Sequence, residues 1–348
     1  MRHLLLPFSF IYGFILMIRR KCYEKGIIKS SSYSIPTICI GNLAVGGTGK
    51  TPHTEYIIQH FHTYNLALLS RGYKRNTRGA LCTAQLSDNE KNAIILGDEP
   101  TQYLQKFPKL PLAVAEKRTE GIALLQKYFP NLDFIILDDA YQHLAVNYNC
   151  KILLTEYHNL YVDDYPFPAG NLREFPCAAK AAQIIIVTKC PKNISAQEKI
   201  YITKKLAPLP TQNIFFTYIN YKTLVPTSST SSSLTLTPNT HILLITAIAN
   251  YHPLLNHIRA QYSSIQLLNF PDHHQFTSKD ITKIIDLFQK IKTENKVIIT
   301  TEKDIPKLVC ASKNIISLLP IYIAPIEVQF ISEEEKFNSI LSSYVRKS

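Results

Sequence analysis

Beyond residue 34 short apolar runs alternate with longer amphipathic stretches, and the two periods separate strands from helices. Ile35 to Ile40, Leu66 to Leu69, Phe134 to Leu137, Lys151 to Thr155 and Gln183 to Thr188 are nearly continuous in apolar residues. They predict strands covered on both faces. Ala93 to Leu96 reads as a further short strand, and Lys50 to Phe61 and Glu116 to Phe129 as helices. Residues 227 to 237 form a Ser/Thr run without apolar period, which predicts a flexible link. Alternation then resumes, with strands expected at Ile242 to Ile248, Ile265 to Phe270, Val297 to Thr301 and Ile321 to Phe330. Helices are expected at Ser278 to Lys292 and Glu333 to Arg346, opened by capping boxes of Thr277 with Asp280 and Ser332 with Glu335. The expected fold is α/β, with a doubly wound, mostly parallel sheet. The expected divisions are an N-terminal helix at 1–28, a core at 29–225, a linker at 226–238 and a smaller C-terminal α/β lobe at 239–348.

The N-terminus breaks this pattern, because Leu4 to Ile18 is almost wholly apolar over about 15 residues. A spanning helix needs roughly 20. A basic cluster of Arg19, Arg20 and Lys21, with Lys25 beyond, follows where a secretory signal would show small residues and a cleavage site. The segment reads as a retained interfacial anchor, its apolar residues in the acyl boundary and its cations on anionic headgroups. A buried core helix of the same length is the alternative. The net charge of +12 and pI of about 9.2 point toward anionic partners, and composition does not choose among phospholipid surfaces, phosphorylated substrates and nucleic acid. The seven cysteines are scattered without a C-x-x-C pair, so neither a disulfide framework nor a zinc site is indicated.

Gly46-Gly47-Thr48-Gly49-Lys50-Thr51 lies between a predicted strand and a predicted helix. Glycines let backbone N–H groups turn inward on a phosphate, and the helix N-terminus adds positive partial charge. Lys50 would reach the β and γ phosphates of ATP and the Thr51 hydroxyl would bind Mg2+, in a P-loop NTPase-like arrangement. Ala44 and Val45 complete the loop, although the usual pattern has glycine at the position of Ala44. The strand Phe134 to Leu137 runs into Asp138 and Asp139, either of which would hold the cation beside Thr51. A second acidic pair, Asp98 and Glu99 in Gly97-Asp98-Glu99-Pro100, reads equally as a surface turn or as a site for an acceptor hydroxyl. Arg71, Lys74, Arg75, Arg78 and Arg118 are available for anions.

Together with these segments, several others resemble the tetraacyldisaccharide 4'-kinase, or lipid A 4'-kinase, family. They are Gly41-Asn42-Leu43, Ser70-Arg71-Gly72-Tyr73, Glu116-Lys117-Arg118, Asp138-Asp139-Ala140-Tyr141-Gln142-His143, Pro168-Ala169-Gly170-Asn171-Leu172-Arg173-Glu174, Asp272-His273-His274-Gln275-Phe276 and Thr301-Glu302-Lys303-Asp304. The likeness runs from the N-terminus to about Lys307 and makes Ala44 expected, while Ala140 stands where the family has glycine. It implies transfer of the γ-phosphate of ATP to the 4'-hydroxyl of a tetraacyldisaccharide 1-phosphate, a lipid A precursor, at the cytoplasmic face of the bacterial inner membrane. It further implies Asp98 as catalytic base with a histidine of the Asp272-His273-His274 segment, taken as His273 rather than His274, as its partner, and Glu99, Asp138 and Asp139 as metal-side acids. Arg71, Arg118, Gln142, His143 and Asn171 would line the substrate. His143 reads equally as a structural histidine.

The rival reading is a membrane-recruited ATPase that switches partners. Such proteins carry a lysine just before the glycine pair, where this chain has Val45. A nucleic-acid motor is disfavoured because the basic residues form no stripe interleaved with aromatics. No nucleic acid and no obligate protein partner are expected.

Overall fold

A computed structural model describes residues 2–228, 235–272, 274–312 and 314–345. Residues 229–234 of the expected linker, and His273, lie outside them. The described residues fall into two compact units, one of 1–91, 107–219 and 328–348 and one of 92–106 and 220–327. The second unit thus takes residues 92–106 from the sequence range of the first, and the C-terminal helix returns to the first.

The first unit is built on nine strands: β1 (Thr37–Asn42), β2 (Leu66–Ser70), β3 (Leu81–Cys82), β4 (Leu112–Val114), β5 (Phe134–Asp138), β6 (Cys150–Glu156), β7 (Ile184–Thr188), β8 (Asn213–Tyr221) and β14 (Ile326–Phe330). Their order is β14-β8-β7-β6-β1-β5-β2-β4-β3. β1 pairs in parallel with β5 on one side and β6 on the other, and β2, β4, β7 and β8 continue the parallel run. The chain winds outward from β1 to β2 and β4, returns to β5, then crosses to β6. β1 is therefore where the winding reverses, and the loop after it faces the crevice where ligands of such sheets bind. Helices α2 (Lys50–His60), α5 (Arg118–Tyr128) and α6 (Ala196–Leu206) belong to this unit.

The second unit holds β9 (Val225–Pro226), β10 (His241–Thr246), β11 (Ser264–Asn269), β12 (Lys296–Thr301) and β13 (Ile321–Ala324), in the order β11-β10-β12-β13-β9. Period-two alternation sends Leu243, Ile245 and Ile298 to one buried cluster and Ile242, Leu244, Val297 and Ile299 to the other. Both faces are covered, which is why these strands read as unbroken apolar runs. Helix α8 (Ser278–Lys290) carries the predicted capping box between Thr277 and Asp280; α7 (His252–Arg259) precedes it.

Three local expectations are corrected. Ala93–Leu96 is a single helical turn, α3, because Asn92 accepts hydrogen bonds from the amides of Ile94 and Ile95 and caps it. Ile321 to Phe330 divides into β13 and β14, which lie in different sheets. The C-terminal helix begins at Glu334, after Glu333 in a left-handed conformation at φ 62. Ser332 is therefore not its cap, and its hydroxyl instead accepts from Lys199.

The N-terminal helix α1 (Leu6–Glu24) docks on the first unit by a narrow face. Ser9 accepts the Ala169 amide at 2.8 Å, and a Cβ at Gly13 would come within 2.5 Å of the Phe175 ring. Arg20 makes a bidentate pair with Glu174 at 2.8 and 2.9 Å, both side chains being buried. Phe8, Ile11, Phe14, Ile15 and Ile18 are exposed on the remaining surface. No described helix is long and apolar enough to cross a membrane.

Candidate active site

The loop between β1 and α2 is shaped at both ends. Gly46 has φ 120 and Gly49 φ 87, left-handed values at which a side chain would be strained. Added Cβ atoms at Gly46 and Gly47 would meet nothing within 4 Å, so the backbone there borders open space. Upstream, the loop pairs with residues 171–173. The Val45 amide donates to the Asn171 carbonyl at 2.7 Å, the Arg173 amide to Leu43 at 2.6 Å, and Ala44 bridges Leu172. Val45 N–H, expected among the phosphate donors, is therefore already engaged, and the open cradle starts at Gly46.

Buried side chains fix the rest of the loop. Asn42 donates from Nδ2 to Thr48 Oγ1 at 2.8 Å, and its Oδ1 lies 3.5 Å from Lys50 Nζ. The Thr188 hydroxyl donates to the Thr48 carbonyl at 2.9 Å. His53 holds the Gly49 carbonyl at 2.7 Å through Nδ1 and meets Thr217 Oγ1 at 2.9 Å through Nε2.

The acidic pair sits on the neighbouring strand, Asp138 opposite Ile40 of β1. Asp138 is buried at the end of β5, and Asp139 follows with φ 46, which ends the strand. Arg173 Nη1 is 2.9 Å and Lys50 Nζ 3.6 Å from Asp139 Oδ1. Burial alone would raise the Asp139 carboxyl, but Lys50 and Arg173 outweigh it and hold it below the usual carboxylate range. Gln142 bridges this cluster to β1, donating to the Asn42 carbonyl at 2.9 Å and accepting from Arg173 at 3.3 Å.

Arg118, expected as an anion clamp, lies instead beneath the acids, only 2% exposed, donating to the carbonyls of Ala115 and Asp138. Burial draws its pKa down, against the pull of Tyr148, Asp138 and Asp139. His143 is half-buried; burial, then Arg118 and Arg71, push its imidazole down to about 4, so it is neutral near pH 7. Arg71 is exposed just after β2. Asn171 is also exposed, its amide donating to Asp164 and its carbonyl accepting from the Val45 amide.

The other expected residues belong to the second unit. Gly97, at φ 98, separates α3 from α4 (Asp98–Lys106), so Asp98 and Glu99 occupy a helix's first turn and not a plain surface turn. Carboxylates are favoured at that end by the helix dipole. Asp98 Oδ2 accepts from Gln275 Nε2 at 3.3 Å. His274 is committed elsewhere, 3.0 Å from Asp280 and stacked on Phe270. The Thr301 to Asp304 turn ties this region together. Glu302 pairs with Lys106 of α4, Lys303 with Asp272, and Asp304 accepts from the Ala247 amide while pairing with fully buried Lys307.

Sequence reasoning passed over Asn42, His53, Arg173 and Thr188. Asn42 and Arg173 stand inside segments already notable as motifs, but nothing in spacing reveals that Arg173 reaches Asp139. Asp138, Asp139 and the Thr51 hydroxyl are hard oxygen donors. The described residues hold no group of three or more His, Cys, Asp or Glu placed for a metal.

A family model described as Tetraacyldisaccharide-1-P 4'-kinase matches residues 1–346. The chain is 42% identical to a tetraacyldisaccharide 4'-kinase of Bacteroides thetaiotaomicron over 99% of this chain and 93% of that one. It is 41% identical to the enzyme of that name from Flavobacterium johnsoniae, over 100% and 98%. A crystal structure of LpxK from Aquifex aeolicus, described as in complex with ATP, superposes with a TM-score of 0.74 at 24% identity, covering 99% of both chains. That likeness supports the P-loop α/β fold.

Proposed function

Since the chain belongs to the tetraacyldisaccharide-1-P 4'-kinase family, we propose that it transfers the γ-phosphate of ATP to the 4'-hydroxyl of a tetraacyldisaccharide 1-phosphate, giving the 1,4'-bisphosphate in lipid A biosynthesis. The observation that carries this reading is the open glycine cradle beside a carboxylate that two cations already compensate. The amides of Gly46, Gly47, Gly49, Lys50 and Thr51 and the N-terminus of α2 would take the phosphates, the Thr48 amide being held by the Gly46 carbonyl at 3.0 Å. Lys50 would turn from Asp139 to the β and γ oxygens, and Arg173 would offset charge on the transferring group. Thr51 with Asp138 and Asp139 would hold Mg2+, which supplies charge neutralisation when bound.

Asp98, oriented by Gln275 and with His273 as its assigned partner, would accept the proton of the 4'-hydroxyl. Arg71, Gln142 and neutral His143 offer the sugar and its phosphate hydrogen bonds, and Asn171 does so from the adjoining loop. Arg118 supports the acids from below. The exposed apolar face of α1, followed by Arg19 and Lys21, suits the headgroup boundary of an anionic membrane and supports a reaction at the inner face of the cytoplasmic membrane. The test is transfer of label from [γ-32P]ATP to the disaccharide 1-phosphate lipid in mixed micelles. A labelled bisphosphate lipid is expected from the wild type and none from Lys50→Ala. Release of free phosphate without a labelled lipid would identify an ATPase instead.

A further inference from the structure

Residues 169–175 are held from two sides. On one side they pair with the phosphate loop: the Val45 amide donates to the Asn171 carbonyl, the Arg173 amide to the Leu43 carbonyl, and Ala44 bridges Leu172. On the other side they carry the docking face of α1. The Ala169 amide donates to Ser9 Oγ at 2.8 Å, the Phe175 ring stands where a side chain at Gly13 would go, and Glu174 takes both arms of the Arg20 guanidinium. The helix and the phosphate loop thus share one wall.

Two consecutive side chains of that wall serve different neighbours. Arg173 reaches Asp139 and Gln142, whereas Glu174 reaches α1. The Arg173 and Asp139 side chains are 29% and 28% exposed, and an ion pair so open to water has little hold of its own. Arg20 and Glu174 are 8% and 6% exposed and joined by two parallel bonds, which fix angle as well as distance. The buried pair therefore sets the backbone from which Arg173 extends. The helix also reaches the segment that follows Asp139. Arg20 lies over the Tyr141 ring, 5.6 Å from its centroid, and Arg19 Nη1 donates to the Gln142 carbonyl at 3.5 Å.

We propose that α1 is a working part of the phosphoryl-transfer site as well as an anchor, with Arg20 and Glu174 as positioning residues that hold Arg173 against Asp139. Both act through Arg173 and neither has to touch nucleotide or lipid. The role rests on the kinase reading above and adds to it a dependence of turnover on how α1 is seated, separate from membrane attachment.

The experiment is a kinetic cycle on the full-length protein, following label from ATP into the disaccharide 1-phosphate lipid in mixed micelles. It compares wild type, Arg20→Leu with Glu174→Leu, Arg173→Ala, and all three replacements together. The leucine pair removes the link without stranding a charge and leaves the exposed apolar face of α1 in place. Thermal unfolding and flotation with anionic vesicles accompany each protein. Arg173→Ala is expected to lower kcat about 10²-fold, the scale of a lost transition-state donor. The leucine pair is expected to lower kcat about tenfold, as for a group displaced from its working geometry, with lipid KM and flotation as in wild type. In the Arg173→Ala background the leucine pair should change kcat by less than about twofold, because the group it positions is gone. Additive losses, an unchanged kcat in the leucine pair, or an Arg173→Ala enzyme as fast as wild type would each overturn the positioning role. A defect confined to lipid KM, with flotation reduced, would make the pair part of membrane attachment alone and overturn it too. If the leucine pair does not fold, Arg20→Lys carries the same cycle, since it keeps the charge but lacks the fork that matches Glu174. Its smaller loss in kcat should likewise vanish in the Arg173→Ala background, and persistence there would overturn the role. A wild type that labels no lipid would remove the kinase reading and the role with it, whereas additivity in an active enzyme removes the role alone.

Discussion

His53 should make the phosphate loop, and with it the first unit, labile to mild acid. The Gly49 carbonyl can only accept, so Nδ1 carries the ring hydrogen and Nε2 accepts from the Thr217 hydroxyl. A second ring proton would have to be accommodated in a site closed to water, and burial accordingly lowers the imidazole from 6.5 to about 4, only partly opposed by the Gly49 bond. Because the folded value is depressed, the unfolded chain takes up a proton as pH falls through 6.5 while the folded chain does so only near 4. Stability is complete above 6.5 and is lost through that window. Between pH 7 and pH 4.5 the loss attached to this one residue is about 2 kcal/mol. His53→Phe forfeits two buried hydrogen bonds and should be about 1–3 kcal/mol less stable at pH 7, but it has no proton to gain. Urea unfolding of both proteins at pH 7 and 4.5 measures the difference. His143, depressed to a similar value, is common to both and cancels. The wild type should lose about 2 kcal/mol more than the variant over this interval; equal losses would refute the assignment of a buried neutral His53.

Asp98→Asn should retain ATP affinity and slow single-turnover transfer by about 10²-fold or more, whereas a defect confined to ATP affinity would move Asp98 to the nucleotide side. Glu174→Ala strands the buried Arg20 guanidinium and should destabilise the protein by about 3–5 kcal/mol, with the double replacement Arg20→Leu and Glu174→Leu recovering most of it by thermal unfolding. If the double variant is as unstable as the single one, the damage lies in packing and not in the orphaned charge. Ile11→Glu with Ile15→Glu, both on the exposed face of α1, should abolish flotation with anionic vesicles while leaving ATP binding unchanged. Flotation undiminished by the two carboxylates would locate the membrane contact elsewhere.

The smaller unit shows where local pattern misleads. Ala93 to Leu96 is apolar enough for a strand, and four residues cannot display a helical period; Asn92 decides the matter by capping. Gly97-Asp98-Glu99-Pro100 has the composition of a turn, yet it opens α4. Arg118 and Arg71 look alike as letters, and only burial separates them. One lies under the acids at 2% exposure, the other is open to solvent.

What the sequence by itself determined is what local physics dictates. Unbroken apolar runs announce strands covered on both faces, glycines at 46 and 49 announce a backbone turned inward before a helix, and an apolar strand running into Asp138 and Asp139 announces charge at a strand's carboxyl end. Those signals depend on neighbours a few residues away, so they survive in one dimension. The tertiary structure alone decided that Arg173 pairs with Asp139, that Thr188 and His53 brace the phosphate loop, that Arg20 is buried against Glu174, and that residues 92–106 leave the first unit for the second. Each of these joins segments 34 or more residues apart or assigns one to a core, except the His53 bond to Gly49, which needs the turn itself to be built. Strand order and burial set such meetings, and no period along the chain records them.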